Sequence, residues 1–106
     1  MKDSAAPLRP GQVVRSTAGR DRGACYLIVR ALDQRFVAVA DGLSRTVRNP
    51  KRKNLRHLVW VADAPEPIRS RLEAGGAVGD EEIRQALWAV QSCVPAEGGS
   101  PLDGQG

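Results

Sequence analysis

The stretch GQVVRSTAGRDRGACYLIVRALDQRFVAV, Gly11 to Val39, decides the fold. Two runs of β-forming residues, Gln12–Thr17 and Cys25–Leu32, flank a loop bounded by Gly19 and Gly23, and Asp33-Gln34-Arg35 leads tightly into a third run, Phe36–Ala40. Strand side chains alternate, so Val14 and Ser16 share one side of the first run and Val13, Arg15 and Thr17 the other. Cys25–Leu32 is nearly all apolar apart from Arg30, the pattern of a central strand covered on both faces. Val37 and Val39 are expected to face the core. Glycine suits a loop that needs positive φ, and Arg20 and Arg22 stand between Gly19 and Gly23 with little apolar surface to bury them.

Further along, Asp41-Gly42 is a turn signal. It predicts a short strand over Ser44–Arg48, ended by Asn49-Pro50 because proline cannot donate into a ladder. Lys51-Arg52-Lys53-Asn54 reads as an exposed basic loop, and Leu55–Val61 as the last strand. Five short strands joined by tight turns suit a small closed barrel. After Val61 the period changes. A helix is expected over Glu66–Ala74, with Pro67 in its first turn, and Gly75-Gly76 ends it. Asp80 is placed to cap a second helix, with Glu81 and Glu82 near its positive end. Ile83, Leu87, Val90 and Val94 form one apolar stripe, and Pro95 stops it.

The expected organisation is a flexible lead-in over 1–10, a barrel over 11–62, a helical appendage over 63–95 and a disordered tail over 96–106. The fold class is mainly β with an α appendage. The chain has 106 residues, 42% of them hydrophobic, but only one Phe, one Tyr and two Trp, so the core is built of Val, Leu, Ile and Ala. No run approaches the ~20 apolar residues of a membrane span, and Met1–Pro10 lacks the apolar stretch of a signal peptide. A cytoplasmic location follows as an expectation, with reduced thiols at Cys25 and Cys93.

The formal net charge of +4 conceals a division. Residues 7–60 hold 12 lysines and arginines against three aspartates, a net +9, whereas residues 61–106 hold three arginines against eight acids, a net −5. A small domain with this cationic excess meets a polyanion readily, because each neutralised phosphate releases a counterion.

The residues Gly11, Val14, Gly19-Arg20-Asp21-Arg22-Gly23 and the apolar run through Ile28 resemble the KOW motif of ribosomal proteins and transcription elongation factors. Tyr26 stands where the usual pattern has a further glycine. The later landmarks Asp33-Gln34 and Val39-Ala40-Asp41-Gly42, then Lys51-Arg52-Lys53 and Leu55–Val61, are similar to the KOW-bearing large-subunit ribosomal proteins of the archaeal and eukaryotic type and their small bacterial relatives. The resemblance covers roughly residues 8–62. It implies a five-stranded SH3-like barrel followed by two short helices, and binding of structured, ribosomal RNA through the loop between the first two strands. The motif glycines are Gly11, Gly19 and Gly23. The expected RNA-binding residues are Arg15, Arg20, Arg22, Arg45, Arg48, Lys51, Arg52 and Lys53, since guanidinium groups grip phosphate with two bonds. With few aromatics, contact is expected to backbone and shape rather than to stacked bases.

Catalysis has little support. His57 alternates with apolar residues, and Glu81-Glu82 point to different sides of a helix and make no carboxylate pair. Gly19–Gly23 is not followed by the Lys-Ser/Thr of a phosphate-binding loop. One histidine and two scattered cysteines make no metal site, and no cofactor is expected. The competing class is a protein-interaction adaptor in transcription or ribosome assembly. In it, Leu87 and Trp88 anchor a partner instead of the stripe docking on the barrel.

Overall fold

The computed structural model describes residues 8–90. The strands are β1 (Gln12–Ser16), β2 (Cys25–Ala31), β3 (Phe36–Ala40), β4 (Lys51–Asn54) and β5 (Leu58–Asp63). They form one sheet in the order β4-β3-β2-β1-β5 with every pairing antiparallel. A one-turn 3-10 segment, Leu55–His57, joins β4 to β5, and α1 (Ile68–Glu73) and α2 (Asp80–Ala89) follow. This is the mainly β, SH3-like arrangement with two short helices.

The sheet is covered on both faces. Val14, Tyr26, Ile28, Val37, Val39 and Leu58 make the inner cluster of the barrel. Val13, Leu27 and Ala40 pack on the other face against Ala64, Ile68, Leu72, Val78, Ile83 and Ala86. Neighbours Val13 and Val14 are thus both fully buried, on opposite sides. The apolar stripe of α2 docks: Ile83 and Ala86 are fully buried and Leu87 and Val90 pack partly against the same cluster. Burying a side chain such as Ile83 contributes about 1.5–3 kcal/mol, so the helical segment and the sheet share one core.

The Asp41-Gly42 landmark is the socket for α2. Asp41 Oδ1 accepts from the N–H groups of Leu43 (2.8 Å) and Arg45 (2.9 Å), which winds the chain into a turn. Gly42 has φ +78°, and a Cβ there would stand 2.5 Å from the Asp80 carbonyl oxygen. Arg84 Nη1 donates to the Gly42 carbonyl at 2.6 Å, and Asp80 Oδ1 accepts from the Val47 N–H at 2.7 Å.

Several expectations are corrected. Ser44–Arg48 is not a strand, because the Asp41 carboxylate gathers its backbone into turns. The basic run is not a loop: Lys51–Asn54 is β4, paired with β3 from Val39↔Lys51 to Phe36↔Asn54. The last strand begins at Leu58, after the 3-10 turn. The first helix is shorter than Glu66–Ala74, and Glu66 instead accepts from the Ser70 N–H at 3.1 Å. Gly79, not Asp80, occupies the N-cap of α2, where Glu82 accepts its N–H at 3.0 Å. Cys25 is disulfide-bonded, against the expected reduced thiol. The lead-in over residues 1–7, Cys93, Val94, Pro95 and the expected tail 96–106 lie outside the described residues.

Candidate nucleic-acid interface

Antiparallel order fixes which loops meet. The β1–β2 loop, residues 17–24, and the β3–β4 loop, residues 41–50, both lie at the end of the sheet where β2 starts. Arg20 and Arg22 are exposed on the first loop, and Arg45 (half-buried) and Arg48 (exposed) stand on the second. None of these four has an ion-pair partner among the described residues. The motif glycines Gly11, Gly19 and Gly23 all have positive φ, at 93°, 83° and 91°. Gly19 and Gly23 close the loop through their backbones: Arg22 N–H donates to the Gly19 carbonyl and Gly23 N–H to that of Ser16.

Between the two arginines, Asp21 turns inward and anchors the loop. Its Oδ1 accepts from Ser16 Oγ (2.9 Å) and Lys53 Nζ (3.2 Å), and its Oδ2 from Tyr26 Oη (2.7 Å) and Lys51 Nζ (3.0 Å). Lys53 also donates to Ser16 Oγ at 3.0 Å and is only 7% exposed. Strand alternation explains this. Lys51 and Lys53 lie opposite Val39 and Val37, on the inner face, while Arg52 lies opposite Ala38 and points out.

Burial alone would raise the Asp21 carboxyl. The hydrogen bonds from Tyr26, Lys51, Ser16 and Lys53 outweigh it and hold the group well below the usual carboxylate range. Burial, then the bond and the negative charge of Asp21, push the Tyr26 hydroxyl above the ordinary phenol value. Asp41 and Arg45, on the second loop, act on the same hydroxyl in opposite senses. Tyr26, at the position where the motif usually has glycine, therefore carries one of the four groups that hold the loop.

The residues expected at an RNA surface do not form one layer. Arg20, Arg22, Arg45 and Arg48 share one end, Arg15 is half-buried and already engaged, and Lys51 and Lys53 grip Asp21. Arg52 lies on the outer face over the Phe36 ring, 3.8 Å from its centroid. Leu87 is partly buried against the core, whereas Trp88 is 65% exposed. What the sequence pattern did not reveal was the joint role of Asp21, Ser16 and Tyr26. The signal was present: an acid flanked by arginines, with Lys51 and Lys53 spaced by two. Among the described residues no three His, Cys, Asp or Glu side chains gather as a metal site, and no helix is long and apolar enough to cross a membrane.

A five-stranded barrel with a glycine-bounded, arginine-bearing loop at its rim defines a KOW-type ribosomal-protein class. No family model matches the chain. It is 32% identical over 85 residues to large ribosomal subunit protein eL14 of Methanococcus maripaludis strain C7, covering 80% of this chain and 95% of that protein. It is 31% identical over 85 residues to the same protein of strain C6, with the same coverage. The chain belongs to the family of large ribosomal subunit protein eL14. It is not an enzyme.

Proposed function

We propose that this protein is a structural component of the large ribosomal subunit that binds ribosomal RNA through the loop end of its barrel. The observation that carries the reading is the set of four arginines, Arg20, Arg22, Arg45 and Arg48, without an ion-pair partner among the described residues, on two loops whose backbones are tied down. Planar guanidinium groups presented from loops with a tied-down backbone suit a folded RNA with closely spaced phosphates. The names of the relatives supply the ribosome. In this reading Lys51 and Lys53 act one step back from the RNA, by holding Asp21 and so the loop.

The test is sedimentation of a cell lysate on a low-salt gradient, with and without nuclease, probing fractions for the protein. Co-migration with the large subunit, abolished at high salt, is expected. Migration at the top of the gradient in both cases would refute stable ribosome association. With purified ribosomal RNA, Arg20→Ala/Arg22→Ala is expected to lower the log–log salt slope by about 2, one unit for each phosphate that is no longer neutralised.

A protein contact is favoured at one place. Trp88 leaves the docked stripe and stands exposed beside Arg84 and Gln85. A folded Trp88→Ala variant that keeps its RNA affinity but no longer co-sediments would assign Trp88 to a neighbouring protein of the subunit.

A further inference from the structure

A second group of arginines lies away from the glycine-bounded loop, and a β-bulge creates part of it. The β2–β3 register runs Ile28↔Val39 and then Arg30↔Ala38, so Val29 is an extra residue. Without it Arg30 would sit opposite Val37, whose side chain belongs to the inner cluster. The bulge re-aims Arg30 to the outer face instead. Arg52 lies opposite Ala38 from the other side. Arg30, Ala38 and Arg52 thus form one cross-strand row, with two arginines about 10 Å apart across a small residue.

The turn below that row extends it. Asp33 Oδ1 accepts from the N–H groups of Arg35 (2.7 Å) and Phe36 (2.9 Å), so its charge is held by the backbone. The Arg35 carbonyl accepts from the Leu55 N–H at 2.8 Å, and Asn54 Oδ1 accepts from the Arg56 N–H at 3.0 Å. These bonds tie the β2–β3 turn to the 3-10 segment around a concave pocket lined by Gln34, Arg35, Asn54, Leu55 and Arg56. Arg30, Arg35, Arg52 and Arg56 are all exposed, and none has an ion-pair partner among the described residues. Four exposed guanidinium groups on one face, none of them neutralised by an acid among the described residues, leave it open to an anion. A row with a pocket beside it suits successive phosphates of a strand rather than a single small anion.

We propose that Arg30, Arg35, Arg52 and Arg56 form a second phosphate-binding face, so that one molecule holds two segments of RNA at once. This rests on the RNA-binding reading above. The β2–β3 turn lies at the far end of the seven-residue strand β2 from the loop of Arg20 and Arg22, a distance of about 20 Å. That exceeds the Debye length of ~8 Å at physiological salt, so the two faces attract their phosphates separately.

The experiment uses the full chain and two short RNA hairpins, one carrying a donor fluorophore and the other an acceptor. The wild type is expected to bring both hairpins together and give energy transfer. Arg30→Ala/Arg35→Ala/Arg52→Ala/Arg56→Ala is expected to keep one hairpin and abolish the transfer. Arg30→Ala/Arg35→Ala, which leaves Arg52 on Phe36, guards against a folding defect and is expected to reduce transfer as well. Undiminished transfer in the folded four-arginine variant overturns the second face, and so does a wild type that binds one hairpin but never two. Both results leave RNA binding standing. A wild type that binds neither hairpin refutes the RNA-binding reading itself.

Discussion

Asp21→Ala removes the one carboxylate on which four groups converge. The Asp21 side chain is 14% exposed, that of Lys53 8% and that of Lys51 29%. Lys51 can therefore swing its ammonium into water after the substitution. Lys53 cannot without moving β4, and it keeps only Ser16 Oγ as an acceptor at 3.0 Å. Breaking a buried pair by removing one partner costs about 3–5 kcal/mol. The partial exposure of Asp21 argues for the lower end, about 3 kcal/mol. Urea unfolding followed by tryptophan fluorescence reads the effect: with m of ~1–1.5 kcal/mol/M, the midpoint should fall by about 2–3 M. Asp21→Ala/Lys53→Met removes both charges and should recover most of that stability, because no uncompensated ammonium stays buried. A single variant within about 0.5 kcal/mol of the wild type would refute the brace. So would a double variant no more stable than the single one.

Acid should expose the same brace. The Asp21 carboxyl is held below its ordinary value, so its contribution is fully present above about pH 4 and is lost as pH falls through the depressed value. The stability gap between the wild type and Asp21→Asn is therefore expected to narrow below about pH 4; a gap constant from pH 7 downward would contradict it. Gly42→Ala drives a Cβ against the Asp80 carbonyl in a backbone of positive φ and is expected to cost at least about 2 kcal/mol, seen as increased amide exchange in α2. Ile83→Ala should cost about 2–5 kcal/mol, while Trp88→Ala should cost under about 0.5 kcal/mol. Equal destabilisation by urea unfolding would contradict the docking of α2.

Much of this was legible in the residues. The apolar run Cys25–Leu32 identified the central strand, although only Tyr26–Ile28 of it are buried, and Val37 and Val39 face the inner cluster as alternation requires. The step-of-four and step-of-three spacing of Ile83, Leu87 and Val90 found the docked face of α2. What alternation could not reveal was that Lys-Arg-Lys was itself a strand. A run of charge by itself implies exposure, and a core-facing lysine has meaning only with its partner Asp21, 32 residues away in sequence from Lys53. Arg30 shows the same limit. Its outward aim depends on a one-residue bulge at Val29, which leaves no mark in composition.

The placement of the two lysines bears on what the barrel is for. A buried ion pair is a poor means of stabilising a fold, since apolar residues of similar volume often do as well or better. Apolar side chains at positions 51 and 53 would extend the inner cluster formed by Val37 and Val39. They would leave Asp21 unpaired at the rim, and the loop between Gly19 and Gly23 would be without both ammonium partners. What the lysines supply is position: they fix Asp21, and through it the backbone that presents Arg20 and Arg22. In the proposed RNA-binding reading, cations at 51 and 53 thus serve that surface by shaping it, and the positive charge of the domain divides between groups that would meet phosphate and groups that decide where those are held.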